Sequence, residues 1–246
     1  MSAGIIAGTA IYKLEGLNLI KTHVETEYGT AVLYQGQVED QELYFLPRHG
    51  VDHAVPPHQI NYRANLMALH SLGVEAVLAA YAVGSIHQEI PPLSVVVLDD
   101  LIDFTSGRKS TYFDGGPSGV EHVDMSVPFH PGLRKILLEK AGDFSLQVQD
   151  GGVYVAVDGP RLETPAEINM FRQWGADVVG MTASPECVLA RELELDFAAA
   201  AFSVNWAAGK DEQVQIVEEG LNETTDQLMQ WFIRTLQVYA GQKSEA

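Results

Sequence analysis

Residues 153–193, VYVAVDGPRLETPAEINMFRQWGADVVGMTASPECVLAREL, carry two successive strand–turn–helix signals and decide the fold class. Val153–Val157 and Val178–Met181 are short aliphatic runs bounded by turn residues, the pattern of strands buried on both faces. Helices are predicted over Pro165–Trp174 and Pro185–Leu193. Thr164-Pro165-Ala166-Glu167 supplies a capping hydroxyl, a proline at the first helical position and a glutamate at the third, which is the capping-box arrangement. Ser184-Pro185-Glu186 repeats the cap and the proline. Because both helices follow strands, Arg161-Leu162-Glu163 and Met181-Thr182-Ala183 fall in turns at one end of a parallel sheet, the end at which such sheets bind ligands.

The same alternation extends over the rest of the chain. Further strands are predicted at Gly4–Gly8, Ala31–Val38, Glu42–Leu46, Ala76–Val83, Ser94–Leu101 and Phe197–Val204, and further helices at His58–Leu72, Pro131–Ala141 and Asn222–Gln242. The fold class is therefore α/β, a single domain over residues 1–246 with a central mixed, largely parallel β-sheet flanked by helices. Thr105–Pro128 is rich in Gly, Ser, Asp and aromatic residues without a sustained period. It is too long for a passive connection and is expected to cover a pocket or reach a neighbouring subunit. The tail from Gly241 onward is expected to fray.

Composition narrows the function. The 246 residues hold 15 Lys and Arg against 33 Asp and Glu, a net charge of −18, which disfavours nucleic-acid and anionic-membrane surfaces by repulsion. An anionic ligand must then be held by local groups. The single Cys187 forms no internal disulfide and no Cys/His spacing suggests zinc, which fits a reducing cytoplasm. Neither a signal peptide nor an 18-residue apolar run is evident, so export and membrane spanning are not expected.

Three strand ends carry candidate chemistry: Gly8-Thr9-Ala10, Arg48-His49-Gly50 and Gly180-Met181-Thr182. Each places a hydroxyl, a cation or bare backbone amides at a strand tip, and together they describe an anion pocket assembled from distant segments. Taken singly, the first is far more often an ordinary turn, and the second is equally a surface ion pair. The dinucleotide and Walker-type glycine spacings are absent. His49, His53 and His58 are not spaced for one helical face, so no metal site is expected and His53 and His58 read as solvated loop residues. Ser106, Ser110 and Ser203 lack the surroundings of a nucleophile elbow, and Cys187 falls in an apolar helical register.

The segments GIIAGTA (4–10), RHGVDHAVPPHQINYRANL (48–66), AVGSI (82–86), GPRLETPAE (159–167), GMTASPECVLA (180–190) and VNWAAG (204–209) resemble, in order, the trimeric purine nucleoside phosphorylase and methylthioadenosine phosphorylase family. Within it the chain is most similar to the bacterial S-methyl-5′-thioinosine phosphorylases. The resemblance implies the nucleoside phosphorylase fold, a homotrimer and a pentosyl transfer in which inorganic phosphate, as co-substrate, attacks C1′ of a purine nucleoside. It implies no metal or organic cofactor. Thr9, Arg48, His49 and Thr182 match phosphate-binding positions, Ala82 borders phosphate and ribose, Met181 packs on the sugar, and His122 reaches the 5′ end of a neighbour's substrate. The expected reaction releases hypoxanthine and 5-methylthioribose 1-phosphate from S-methyl-5′-thioinosine. The alternatives are a general inosine/guanosine phosphorylase, a methylthioadenosine phosphorylase and a nucleoside-binding module that has lost turnover.

Base choice follows from hydrogen-bond inventories at two matched positions. An Asn205 amide can accept from a protonated N7 while donating to a C6 carbonyl, and an ionised Glu163 accepts from the N1–H that adenine lacks. Both select a 6-oxopurine. The bland readings are an Asn205 that caps a turn and a Glu163 that bonds amides at the next helix start. Val214, Ile216 and Val217 are candidate walls for the 5′ group. The chain departs from the family at Ala7 and Ala10, in place of glycines, at Tyr81, in place of a phosphate-contacting threonine, and at Leu162, in place of a base-stacking phenylalanine.

Overall fold

A computed structural model describes residues 1–11, 14, 17–211 and 213–245. In chain order its elements are β1 (Ser2–Ala7), β2 (Ile20–Thr26), β3 (Gly29–Val38), β4 (Gln41–Pro47), α1 (Tyr62–Ser71), β5 (Val74–Ser85), β6 (Val95–Val97), β7 (Asp100–Asp103), α2 (Pro131–Ala141), β8 (Val148–Asp150), β9 (Val153–Ala156), α3 (Pro165–Gln173), β10 (Val178–Gly180), α4 (Ala183–Glu192), β11 (Asp196–Trp206) and α5 (Leu221–Glu245). The strands form one 11-stranded mixed sheet.

β5 is the branch point of that sheet. Its first half pairs in parallel with β1, while on the opposite edge β11 pairs with it in parallel from Ala76 to Ser85. Its last residues, Gly84 and Ser85, also pair antiparallel with β10. The sheet therefore divides beside Ala80–Val83, between the end of β1 and the start of the β10–β9–β7 arm. A split sheet leaves backbone carbonyls in need of donors. Arg48, one residue beyond β4, fills the fork: its guanidinium donates to the carbonyls of Ala80 (2.7 Å) and Ile6 (3.4 Å).

Alternate residues of the central strands enter two apolar layers. Ile5, Phe45, Ala76 and Ala198 pack with Trp231 and Phe232 of α5 and with Leu133 and Leu137 of α2. Ile6, Leu46, Val77 and Ala199 pack on the other face with Leu66 and Leu69 of α1 and Leu189 of α4. The expected α/β class and mixed sheet are what the structure shows.

Several details differ from expectation. Ser94–Leu101 is two strands: β6 pairs with β11 and β8, whereas β7 pairs with β9. The break falls at Asp99, whose carboxylate turns to accept the Gly152 amide (2.9 Å). β2 and β8 were not predicted, because β2 is a largely exposed edge hairpin strand with few aliphatics and β8 has only three residues. Ser184 does not cap α4. Its backbone is extended and its hydroxyl donates to Asp103 (2.6 Å), so the helix proper begins after it. The Thr164 capping box is present as expected. The tail is not frayed over Gly241–Glu245, which continues α5.

The opening of the 105–128 segment is tied down by Arg108. Its guanidinium donates to the carbonyls of Met181 (2.8 Å), Ser184 (2.6 Å), Val157 (3.2 Å) and Asp158 (3.0 Å), stitching the exits of β9 and β10 together.

Ala10 has φ of 66° in the turn closed by Ile11 N–H to Gly8 O (3.0 Å). A left-handed L-residue costs roughly 1–2 kcal/mol, and glycine returns about 0.4–1 kcal/mol of that through the unfolded chain. Ala10→Gly is therefore expected to raise Tm by about 1–3 °C in a thermal melt. An unchanged or lowered Tm would show that this turn relaxes around the alanine.

Candidate active site

At the divided end of the sheet lies a cavity of about 230 Å³. Its lining includes Thr9, Arg48, His49, Ala82, Leu162, Glu163, Met181, Thr182 and Asn205, contributed by strand exits that are distant in sequence. The candidate phosphate, sugar and base residues are thus brought to one place, whereas His122, exposed on the 105–128 segment, and the candidate 5′ walls Val214 and Val217 lie outside the lining.

Arg48 is almost completely buried and sits in a bidentate pair with Glu186, Nε to Oε1 at 3.1 Å and Nη2 to Oε2 at 2.8 Å. Burial works against the cation, and the carboxylate more than offsets it, so its pKa is raised. Tyr81 completes the support: its ring lies 4.6 Å below the guanidinium carbon and its hydroxyl donates to Glu186 Oε2 (2.8 Å). The threonine-to-tyrosine departure thus places a phenol against Glu186, behind the arginine. Glu186 escaped the sequence reading because it resembled one more acidic residue in a helical first turn. Its one signal was a charge in the otherwise apolar stretch around Cys187 and Leu189, both fully buried.

The guanidinium has five N–H donors. Glu186, Ile6 and Ala80 engage all but one hydrogen on Nη1. That nitrogen lies 3.1 Å from where a Gly8 side chain would begin, and His49 Cδ2 and Nε2 lie 2.8 and 3.2 Å from the same point. A side chain at position 8 would collide with both, which explains the glycine there. His49 Nδ1 lies 2.8 Å from the Val55 carbonyl, and burial lowers the ring pKa to about 4. His53 is exposed, as expected of a loop residue, and also borders the cavity, with its ring 4.5 Å from that of His49.

Thr182 opens α4, and its backbone N–H donates to the Tyr154 hydroxyl (3.2 Å). That hydroxyl would stand 2.1 Å from a side chain at Gly180, so the glycine lets the tyrosine in. Met181 is admitted likewise by Gly159, where a Cβ would lie 2.4 Å from its sulfur.

Asn205 owes its direction to a bulge. Ser203 faces Val83 and Asn205 faces Gly84, leaving Val204 as an extra residue in β11. Bulges of this kind re-aim side chains beside binding sites. The Asn205 amide donates to the Trp206 carbonyl (2.8 Å), so the turn-bonding reading holds for one of its hydrogens. Its second N–H and its oxygen remain for the cavity. Glu163 does not hold the α3 start. Glu167 does, accepting the Thr164 amide at 2.7 Å, which leaves the Glu163 carboxyl to the cavity wall. Burial, reinforced by Glu167, pushes its pKa up. Of the proposed 5′ walls only Ile216 lines the cavity, and it is 58% exposed; Leu162 is 52% exposed. Cys187 is fully buried and its thiol is pushed up by desolvation, as expected of an inert cysteine. Among the described residues no group of His, Cys, Asp or Glu could hold a metal ion.

The forked edge of the α/β sheet thus gathers an arginine, an imidazole and hydroxyls with an amide and a carboxyl around one cavity. The chain belongs to the Phosphorylase superfamily, which it matches over residues 2–235. It is 44% identical over 238 residues, 94% of this chain and 92% of the relative, to a probable 6-oxopurine nucleoside phosphorylase of Moorella thermoacetica. It is also 44% identical over 218 residues, 87% and 89% of the two chains, to a probable S-methyl-5′-thioinosine phosphorylase of Pseudomonas syringae. The crystal structure of methylthioadenosine phosphorylase from Schistosoma mansoni superposes with a TM-score of 0.90 at 29% identity, covering 98% of this chain and 92% of that one. The protein is accordingly a pentosyltransferase of the purine nucleoside phosphorylase type.

Proposed function

We propose that the protein cleaves S-methyl-5′-thioinosine with inorganic phosphate, giving hypoxanthine and 5-methylthioribose 1-phosphate in purine salvage. The observation that carries this reading is that Asn205 and Glu163 line the same cavity as Arg48, His49, Thr9 and Thr182. Phosphate lies against the last four, and one of its oxygens forms the bond to C1′ as the bond to N9 breaks. The departing electron pair passes into the purine, which gains a proton at N7 while monohydrogen phosphate, in becoming the sugar-phosphate dianion, releases one. Asn205 Oδ1 accepts from the protonated N7, and its free N–H donates to O6. Glu163 accepts from N1–H, and Met181 and Ala82 pack on the sugar side. Oriented donors of this kind stabilise charge that develops in the transition state, and binding both reactants removes much of the entropic barrier. No metal or organic cofactor enters the scheme.

Leu162, Ile216 and Pro57 present an apolar rim suited to a methylthio group. The names of the similar proteins divide between 6-oxopurine, thioinosine and thioadenosine enzymes. The deciding measurement is kcat/KM for thioinosine, inosine and methylthioadenosine, each with and without phosphate. Base release indifferent to phosphate would reject phosphorolysis, and a preference for inosine or methylthioadenosine would replace the substrate.

A cytoplasmic homotrimer completes the proposal. Val120 and Val127 of the 105–128 segment are 71% and 52% exposed, and His122 between them is exposed and outside its own cavity lining. A neighbour would cover these groups and receive His122 beside its own Ile216 rim. Light scattering checks the assembly. Among the described residues no helix is long and apolar enough to cross a membrane.

Glu163 gives the reaction a pH signature. Its ionised carboxylate makes a charge-assisted hydrogen bond with N1–H, and its pKa is raised. As pH falls through that value the acceptor loses its charge and one oxygen becomes a donor, so kcat/KM for the 6-oxopurine nucleoside should fall and its lead over methylthioadenosine should narrow. Glu163→Gln, whose amide oxygen still accepts N1–H but without charge, is expected to remove this acidic dependence and lower thioinosine kcat/KM by about tenfold, the difference between a charged and a neutral acceptor. An unchanged substrate ratio in the variant would detach Glu163 from base choice.

A further inference from the structure

Building on the phosphate reading above, we propose that His49 selects the oxyanion by its proton: the neutral ring accepts a hydrogen bond from a P–OH group, so the site takes monohydrogen phosphate in preference to a tetrahedral dianion with no hydrogen. The ring orientation fixes this. A carbonyl oxygen can only accept, so the 2.8 Å contact between Nδ1 and Val55 O requires the ring hydrogen on Nδ1. Nε2 then carries the lone pair.

That lone pair and the spare Arg48 N–H are neighbours. Nη1 and Nε2 both press on the Gly8 turn, 3.1 and 3.2 Å from where a Cβ would begin, and both residues line the cavity. An acceptor and a donor side by side on the cavity wall complement an anion that offers both an O–H and a bare oxygen. Sulfate offers bare oxygens only, so one of them would face the Nε2 lone pair with no hydrogen between.

The surroundings keep the ring from gaining a second proton. Burial acts first, and the charged or titratable groups that bear on it, Arg48 and His53, both disfavour an imidazolium. The carboxylate that would favour one, Glu186, is engaged by Arg48 and Tyr81. The hydrogen held at His49 also directs chemistry. It marks the oxygen that does not attack and leaves an unprotonated oxygen for C1′.

The test uses the intact wild-type protein and inorganic phosphate. Binding enthalpies are measured at about pH 8.5, above the second ionisation of phosphate, in buffers of differing ionisation heat, which reports protons taken up. The expected uptake is near zero. Uptake approaching one proton per phosphate would mean an imidazolium or a dihydrogen anion and would overturn the proposal. In parallel, sulfate is expected to compete about tenfold or more weakly than phosphate, and His49→Asn, whose amide can turn a donor inward, should bring the two within about threefold. Equal affinity for sulfate and phosphate in the wild type would also overturn it. If phosphate does not bind at all, the phosphorolysis reading fails instead.

Discussion

Arg48→Met should cost about 3–5 kcal/mol of stability, because it strands the Glu186 carboxylate in a fully buried site. It should also lower kcat/KM by about 10²–10³-fold through the loss of an oriented anion donor. These effects separate in a second variant. Arg48→Met combined with Glu186→Leu replaces the whole ion pair with apolar volume, an exchange that commonly restores stability. Denaturant unfolding of the double variant should recover most of the loss, less what the orphaned Tyr81 hydroxyl and the undonated Ala80 carbonyl cost. Phosphorolysis should not recover. If activity returned with stability, Arg48 would be a scaffold residue, and the anion would have to be held by Thr9, Thr182 and backbone amides without it.

Asn205→Asp should reverse base preference and not merely weaken it. A carboxylate oxygen in place of Nδ2 would lie 2.8 Å from the Trp206 carbonyl, acceptor against acceptor. The new acid must therefore rotate or keep a proton. A protonated carboxyl can donate to an unprotonated N7 and accept from an exocyclic amine, the pattern of a 6-aminopurine. Thioinosine kcat/KM is expected to fall about 10²-fold, with a smaller fall or a gain for methylthioadenosine, from one or two mismatches of ~1–3 kcal/mol each. The ratio of the two substrates is the readout. Equal losses for both would show that Asn205 supports the β11 bulge without reading the base.

How much of this was legible beforehand differs by residue. The strand–turn–helix units around Thr164 and Met181 were readable because capping chemistry and aliphatic runs are local signals. Thr9, Arg48, His49 and Thr182 were readable as a set because each ends a strand and few basic residues compete for attention. Glu186 and Tyr81 were not, since their role exists only where β5 and α4 meet behind the guanidinium. Neither was the split of Ser94–Leu101, because its continuous aliphatic pattern conceals which neighbours each half will find. His53 is exposed as its loop setting suggested, but its place beside the cavity was not readable, because it depends on the chain reversal at Gly50. Arg108 carries no motif; its importance comes entirely from four carbonyls that other segments present to it.

The place of β11 has a consequence for biosynthesis. This strand is the last of the sheet to emerge during translation, yet it lies in the interior, between β5 and β6. Until it arrives, the aliphatic run from Ala76 to Ser85 offers one whole edge to any other unpaired chain. A nascent polypeptide that stalls before Trp206 is thus exposed to intermolecular pairing for as long as the pause lasts. Abundant holdase chaperones, which cover that edge until β11 arrives, should raise the soluble yield of this enzyme.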